Sequence, residues 1–330
     1  MESIRQATVY GIRPKRIFRD AAIKFMLENQ HKKSIKIDAW CLKALDPYIG
    51  NMPLDSVHMG SLQHYIDQRR KEGVKSKTIN LSLQVLRHIL NLAASLWMDE
   101  HGLTWLASAP KIKLLPELDK RKPYPLSWEE QDRLFGLLPN HLQEMALFAV
   151  NTGCRDSEIC GLRWEWEVKL SINDMGSVFI IPGERTKNGE DRLVVLNKTV
   201  LDVIEKQRGK HPEYVFVYRG KPIRHMLNNG WRKAREKANL SVRVHDLKHT
   251  FGRRLRSMGV SLEDRQDLLG HKSGRITTHY SSAELLNLWE AVNKISDRDS
   301  RPALTLLRLV KNLGHEKLTN PVFSAIEKVA

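Results

Sequence analysis

Residues 245–280 read HDLKHTFGRRLRSMGVSLEDRQDLLGHKSGRITTHY, and the fold of the C-terminal half follows from this stretch. Leu247, Phe251, Leu255 and Met258 recur at helical spacing and predict the buried stripe of a helix. His245 and Lys248, three apart, share another face of that helix, and Gly252 comes next on it, where a missing side chain permits close packing. Ser261 is placed to cap a second helix, SLEDRQDLLG. His271 follows Gly270 directly, and Tyr280 precedes a third helical pattern, SSAELLNLWEAVNKI. His245 and His249, four apart, have the spacing of a metal pair. The zinc-peptidase pattern needs Glu after the first histidine, however, and here Asp246 stands there with no obvious third ligand, so no metal is expected.

Upstream, Ser127 and Glu130 form a capping box for a helix reaching Leu138, and an almost wholly apolar helix is predicted over 142–150. It leads into TGCRDSEI at 152–159, where Arg155 and Glu158 fall on one helical face. An arginine at a helix start can aim its fork at a phosphate, with Glu158 holding the fork; a purely structural Arg–Glu pair explains the same spacing. Residues 178–182 and 192–196 read as two strands around the turn signal Asn188-Gly189, with Lys187 beside the tip. Helices are expected over 199–208 and 225–239, with a short strand over 214–218 between them.

The N-terminal half predicts four helices. Phe18, Ala22, Phe25 and Met26 mark the first; Ile37, Trp40, Cys41 and Leu45 the second; the third is LQHYIDQRRKEG, capped by Ser61. Ile79, Leu83, Leu86, Leu90 and Ala93 mark the fourth, over 77–97. Any single lysine on their polar faces reads as a solvated residue. As a set, Lys75, Lys77, Arg69, Arg70 and Arg87 read as phosphate contacts, with the Lys75–Thr78 cluster at a helix start as the strongest. Residues 108–126 hold Pro110, Pro116, Pro123 and Pro125 and read as a domain linker. The expected organisation is an extension over 1–15, a helical DNA-binding domain over 16–107, the linker over 108–126, a second domain over 127–296 and a tail over 297–330.

The chain's 330 residues carry a formal charge of +16. Lys and Arg outnumber Asp and Glu 19 to 12 over residues 1–120 and 35 to 26 after that, an excess of +7 and +9, so the positive charge belongs to both halves. That balance favours a nucleic acid or an anionic membrane as partner. Cys41, Cys154 and Cys160 show no paired metal spacing and fit reduced thiols in a cytosolic protein. No apolar run approaches the roughly 18 residues of a membrane span, and the N-terminus lacks a signal-peptide core. A cytoplasmic protein is expected.

TGCRDSEI, TKNG, HDLKH, LGHK and the tyrosine of THY occur in that order within about 130 residues, and this ordered set resembles the tyrosine recombinase (phage integrase) family. The resemblance implies a mainly α fold with a small β-sheet: a SAM-like helical core-binding domain followed by a mixed α/β catalytic domain. By position, Arg155 matches the family's first arginine, Lys187 the hairpin lysine, His245 and His271 the two histidines, and Tyr280 the nucleophile. The implied activity is site-specific DNA cleavage and rejoining through a 3′-phosphotyrosyl link, with no cofactor, metal or ATP, serving integration or excision of a phage or mobile element. The implied partners are double-stranded DNA and further copies of the chain, as a tetramer on paired sites, with a directionality factor left open.

Two departures from the family pattern stand out. Lys248 replaces the second arginine, keeping the charge and losing the bidentate fork. The alternative reading, a DNA-binding architectural or regulatory protein with an impaired site, rests on that residue alone. The first helix begins after about 15 residues, too few for the arm-binding domain of lambda-type integrases, so a two-domain recombinase is expected. ALTLLRLVKNLG, after Pro302, reads as a short apolar helix that packs on its own domain or docks on a neighbouring protomer.

Overall fold

The computed structural model describes residues 13–118, 121–170, 175–271 and 281–295. It divides into two compact units, one ending at Lys122 and the other beginning at Pro123. Tyr280 and the tail beyond residue 296 lie outside the described residues, as does most of the N-terminal extension.

The first unit is built from α1 (Phe18–Glu28), α2 (Ile35–Ile49), α3 (Gln63–Lys71) and α4 (Ser76–Ser95). The α4 stripe is as read from sequence: Ile79, Leu83, Leu86, Leu90 and Ala93 are all fully buried. They pack with Phe18, Phe25, Leu45 and Tyr65 around one core. The α2 face is rotated from the expected one. Ile37 and Trp40 are 54% and 47% exposed, while Asp38, Leu42 and Ile49 join Cys41 and Leu45 inside. Buried Asp38 is tolerated because Lys32 reaches it at 2.6 Å. Ser61 does not cap α3; its hydroxyl closes the preceding turn on His58, accepting from the His58 N–H and donating to the His58 carbonyl. Part of the stretch read as linker packs on this unit: Ile112 is buried, and the Asn80 side chain both donates to and accepts from the Leu115 backbone at 2.9 and 2.8 Å. Lys75, the N-cap residue of α4, is exposed, as are Lys77, Arg70 and Arg87. Arg69 is half-buried, ion-paired to Glu72 and set over the Trp40 ring at 5.7 Å.

The second unit opens with α5 (Trp128–Phe135), whose Ser127–Glu130 capping box forms as expected, and α6 (Asn140–Thr152), buried through its middle. Next come α7 (Asp156–Cys160) and a three-stranded antiparallel sheet, β1 (Glu167–Lys169), β2 (Ser177–Ile181) and β3 (Arg192–Val195), in the order β1-β2-β3. The short strand β1 was not legible in the sequence. The register pairs Ile181 with Arg192, so residues 182–191 form a broad connection including a 3₁₀ turn at Gly183–Arg185, not the tight hairpin that Asn188-Gly189 suggests. After α8 (Lys198–Glu205), a small ribbon of β4 (Val217–Tyr218) and β5 (Lys221–Pro222) precedes α9 (Asn229–Lys237). The chain then builds α10 (Val244–Ser257), α11 (Leu262–Leu269) and α12 (Ser282–Lys294).

Both faces of the sheet are covered, so its strands are apolar on both sides. Phe179, Ile181 and Val194 face the core built around α6, with Phe148, Leu162 and Trp231. Val178, Leu193 and Val195 face Phe251 and Leu255 of α10 and Leu288 and Val292 of α12. α10 therefore spans both cores, with Leu247 in one and Phe251 in the other, and its polar edge is carried to a fixed place beside the ends of α6 and α11. Tyr124 and Leu126 lock the start of the unit onto α10: the Tyr124 N–H donates to Asp246 at 3.3 Å and the Leu126 N–H to the Thr250 hydroxyl at 2.9 Å.

Candidate active site

α6 ends at Gly153, whose φ of +62° is a left-handed conformation natural to glycine. A Cβ there would lie 2.5 Å from Phe251 Cδ1. The turn delivers Arg155 to the head of α7. The Arg155 N–H donates to Glu158 Oε2 at 2.8 Å and its Nη1 to Glu158 Oε1 at 2.7 Å, so the sequence-predicted pair forms. α7 has only five residues, which leaves the guanidinium charge, rather than a helix dipole, as the means of attracting an anion. Arg155 Nη2 stands 3.4 Å from the Gly270 carbonyl, at the limit of a hydrogen bond, and so retains capacity for a ligand.

Glu158 is buried. Burial alone would raise its carboxyl; Arg192 beside it and the hydrogen bonds from Arg155 outweigh that and hold it below the usual carboxylate range. Arg192 is the residue that sequence reading missed. It is 3% exposed, ion-paired to Glu158 Oε2, and its Nη2 reaches the carbonyls of Thr152 at 3.2 Å and Leu268 at 3.3 Å. One signal was present: in RLVVL, strand alternation puts Arg192 on the same side as Val194 and Leu196, where an apolar residue is the norm.

Lys248 is buried among the same elements. Its Nζ donates to the Gly153 carbonyl at 2.9 Å and to the Leu269 carbonyl. Burial, then the neighbouring Arg192 and Arg155, push its pKa down to about 7. Sequence alone had Lys248 in the place of a phosphate-binding arginine; in the structure its ammonium is engaged with two helix-end carbonyls. Gly252 proves to be a helix-packing glycine, its face closed by Leu269. His245 is exposed at the start of α10 and meets His249 edge to face, ring centroids 4.9 Å apart. Partial burial, His249 and Lys248 lower the His245 pKa. Among the described residues no cluster of three or more His, Cys, Asp or Glu is arranged to hold a metal ion.

α11 begins at the Ser261 cap and ends at Gly270, φ +57°, after which the His271 N–H donates back to the Gln266 carbonyl at 2.9 Å. His271 follows on the exposed side, its pKa lowered by partial burial and by Lys248, Arg155 and Arg192. Three successive carbonyls at this helix end are engaged from different parts of the chain. Leu268 accepts from Arg192, Leu269 from Lys248, and Gly270 from Arg155 and, at 3.1 Å, from Asn188 Nδ2. Asn188 thus ties the loop carrying exposed Lys187 to the residue before His271. The structure gathers Arg155, Glu158, Lys248 and the His271 segment at one place. The cations exceed the single carboxylate, an arrangement suited to an anion such as a phosphodiester.

The phage integrase family profile matches residues 128–285. The tyrosine recombinase XerC of Halalkalibacterium halodurans is 30% identical over 254 residues, covering 68% of this chain and 78% of that protein. The integrase of Salmonella phage P22 is 26% identical over 320 residues, covering 86% of this chain and 81% of that integrase. Among solved structures, a lambda integrase dimer bound to a COC′ core site superposes with a TM-score of 0.61 at 16% identity, over 81% of this chain and 98% of that one. Lambda integrase has also been solved as a tetramer bound to a Holliday junction, with a TM-score of 0.59 at 16% identity over 82% of this chain and 81% of that one.

Proposed function

The chain belongs to the phage integrase family of tyrosine recombinases, enzymes that cleave and rejoin DNA at specific sites, and we propose that Tyr280 is its nucleophile, served by Arg155, Lys187, His245, Lys248 and His271. In the cleavage step the Tyr280 oxygen attacks the scissile phosphorus, its proton passing to His245 or His271. The bond from phosphorus to the 5′ oxygen breaks, and Lys187 donates a proton to that oxygen. The products are a 3′-phosphotyrosyl link and a free 5′-hydroxyl. Attack by another strand's 5′-hydroxyl reverses the chemistry and restores the tyrosine. Arg155 and His271 donate hydrogen bonds to the non-bridging oxygens as charge builds there, and Lys248 holds the Gly153 and Leu269 carbonyls of the two helix ends that present them.

The observation that carries this reading is the convergence of Arg155 and the His271 segment on the Gly270 carbonyl, from positions 115 residues apart. The first unit is read as a SAM-like core-binding domain. Lys75, Lys77, Arg70 and Arg87 are exposed for phosphate contact, with Arg69 partly committed to Glu72. The substrate is double-stranded DNA bearing an attachment site, and the working assembly is a tetramer on paired sites, as lambda integrase forms on a Holliday junction. Integration or excision of a phage or mobile element is the biological step.

A nicked suicide duplex carrying the candidate attachment site tests the assignment. Wild type is expected to give a slow-migrating covalent adduct on a denaturing gel with EDTA present, and Tyr280→Phe none. An adduct that persists in Tyr280→Phe, or none from wild type on DNA it demonstrably binds, would remove Tyr280 from the role.

A further inference from the structure

We propose that Arg192 is a positioning residue for DNA cleavage: through Glu158 it fixes the guanidinium of Arg155, and through the carbonyls of Thr152 and Leu268 it fixes the two helix ends that present Arg155 and His271. This rests on the active-site reading above and extends it to a side chain without access to the DNA.

Arg192 sits at the start of β3, directly after the connection that carries Lys187, and its guanidinium is enclosed. It divides Glu158 with Arg155. Arg192 Nη1 takes Oε2, leaving Oε1 for Arg155 Nη1 at 2.7 Å. A lone Arg155–Glu158 pair would be free to close into a two-pronged fork, spending both Arg155 nitrogens on the carboxylate. With Oε2 already engaged by Arg192 and by the Arg155 N–H, that closure is blocked, and Arg155 Nη2 is left facing the Gly270 carbonyl at 3.4 Å. A phosphate oxygen competes well for a donor held that loosely.

The second arm reaches helix ends. Thr152 closes α6 and Leu268 lies in the last turn of α11, and Arg192 Nη2 spans the two carbonyls. Its stem fills the space beside Gly270, where an added Cβ would lie 2.9 Å from Arg192 Cδ. The helix ends that present Arg155 and His271 are thereby referenced to one enclosed cation.

Stability alone gives a poor account of this residue. A buried ion pair is often matched or bettered by apolar side chains of similar volume, and the β3 register calls for one here. A fixed charge that apportions the oxygens of Glu158 is something an apolar residue does not supply.

The test separates positioning from folding by changing the charge of the substrate. One suicide duplex carries the ordinary scissile phosphodiester; a second carries a methylphosphonate, in which a methyl group replaces one non-bridging oxygen and removes the negative charge. Arg155→Ala is the reference for losing the arginine that meets that charge. Arg192→Lys keeps the positive charge and loses the planar fork. On the phosphodiester, Arg192→Lys is expected to slow adduct formation about 10²-fold, as for loss of one oriented donor. On the methylphosphonate, both Arg155→Ala and Arg192→Lys are expected to react within about fivefold of wild type, since a neutral centre no longer needs the arginine.

Equal losses of Arg192→Lys on both substrates would mean a structural role only and overturn the proposal, as would cleavage of the phosphodiester at the wild-type rate. Should Arg192→Lys fail to fold, Glu158→Gln carries the test, because an amide in place of the carboxylate breaks the same division of oxygens; it must show the same charge-dependent loss. No adduct from wild type on bound DNA would instead overturn the Tyr280 reading, a result distinct from a wild-type adduct with an unaffected variant.

Discussion

Two sets of cations, one from each unit, are the same residue types in opposite settings. Lys75, Lys77, Arg70 and Arg87 of the first unit stand in solvent on helix surfaces, while Arg192 and Lys248 of the second are enclosed, each tied to particular carbonyls or a carboxylate. Exposed cations act on a polyanion additively and at a distance set by salt. Enclosed cations act through geometry, because each has given up its hydration for named partners. Charge alone, counted along the sequence as +7 and +9, makes the two halves look alike. The structure separates them: one set stands free in solvent and the other is fixed by named partners.

Four substitutions stress this contrast, from the strongest expected effect to the weakest. Arg155→Ala is expected to slow single-turnover cleavage by about 10²–10³, with DNA affinity within a few-fold of wild type; an equal fall in affinity on a gel-shift titration would make Arg155 another binding cation. Gly153→Ala forces an alanine to φ +62° with its Cβ against Phe251, and is expected to destabilise the protein by about 2–4 kcal/mol in urea titration. Wild-type stability in that variant would mean that the α6 end adapts and the cations around it are loosely placed.

Lys248 supplies the third test. Its folded pKa of about 7 lies below the ordinary lysine value of 10.5. Between those pH values the unfolded chain holds a proton that the folded chain lacks, so this residue's contribution to stability rises with pH through that window, by at most about 1.4 kcal/mol per pH unit. Below pH 7 both states are protonated and the penalty of a buried charge is fully present. Unfolding free energies at pH 7 and 9 should therefore differ between wild type and Lys248→Met in slope; parallel slopes would mean the two carbonyls keep the ammonium charged. The smallest effect is expected of Lys75→Ala, which should weaken binding to all DNA sequences alike and lower the slope of log affinity against log salt by about one. A change confined to one sequence would mark Lys75 as a reader of bases.

Helices were legible where their signals are local. The Ser127–Glu130 box, the Ser261 cap and the α4 stripe each need only a few neighbouring residues, and each is found as read. α2 was misread by one step of rotation because Asp38, polar and buried, contradicts any hydrophobic count until Lys32 is brought beside it. The pair Arg155–Glu158 was legible because its spacing is that of one helical turn. Arg192 was not, since its partners lie 34, 40 and 76 residues away. For the same reason the sequence showed that Lys248 lacks an arginine's fork and could not show which carbonyls its ammonium meets.

The three consecutive carbonyls at the end of α11 work like a lock with several keys cut from separate pieces of metal. Residues 188, 192 and 248 each bring a donor to positions 268–270, and Arg155 adds a looser one. A chain in which the segment of Arg192 or Lys248 is out of place leaves an enclosed cation without its carbonyl partners. A half-assembled site is therefore costly. For an enzyme that cleaves and rejoins DNA, this ties the forming of the site to the folding of the unit around it.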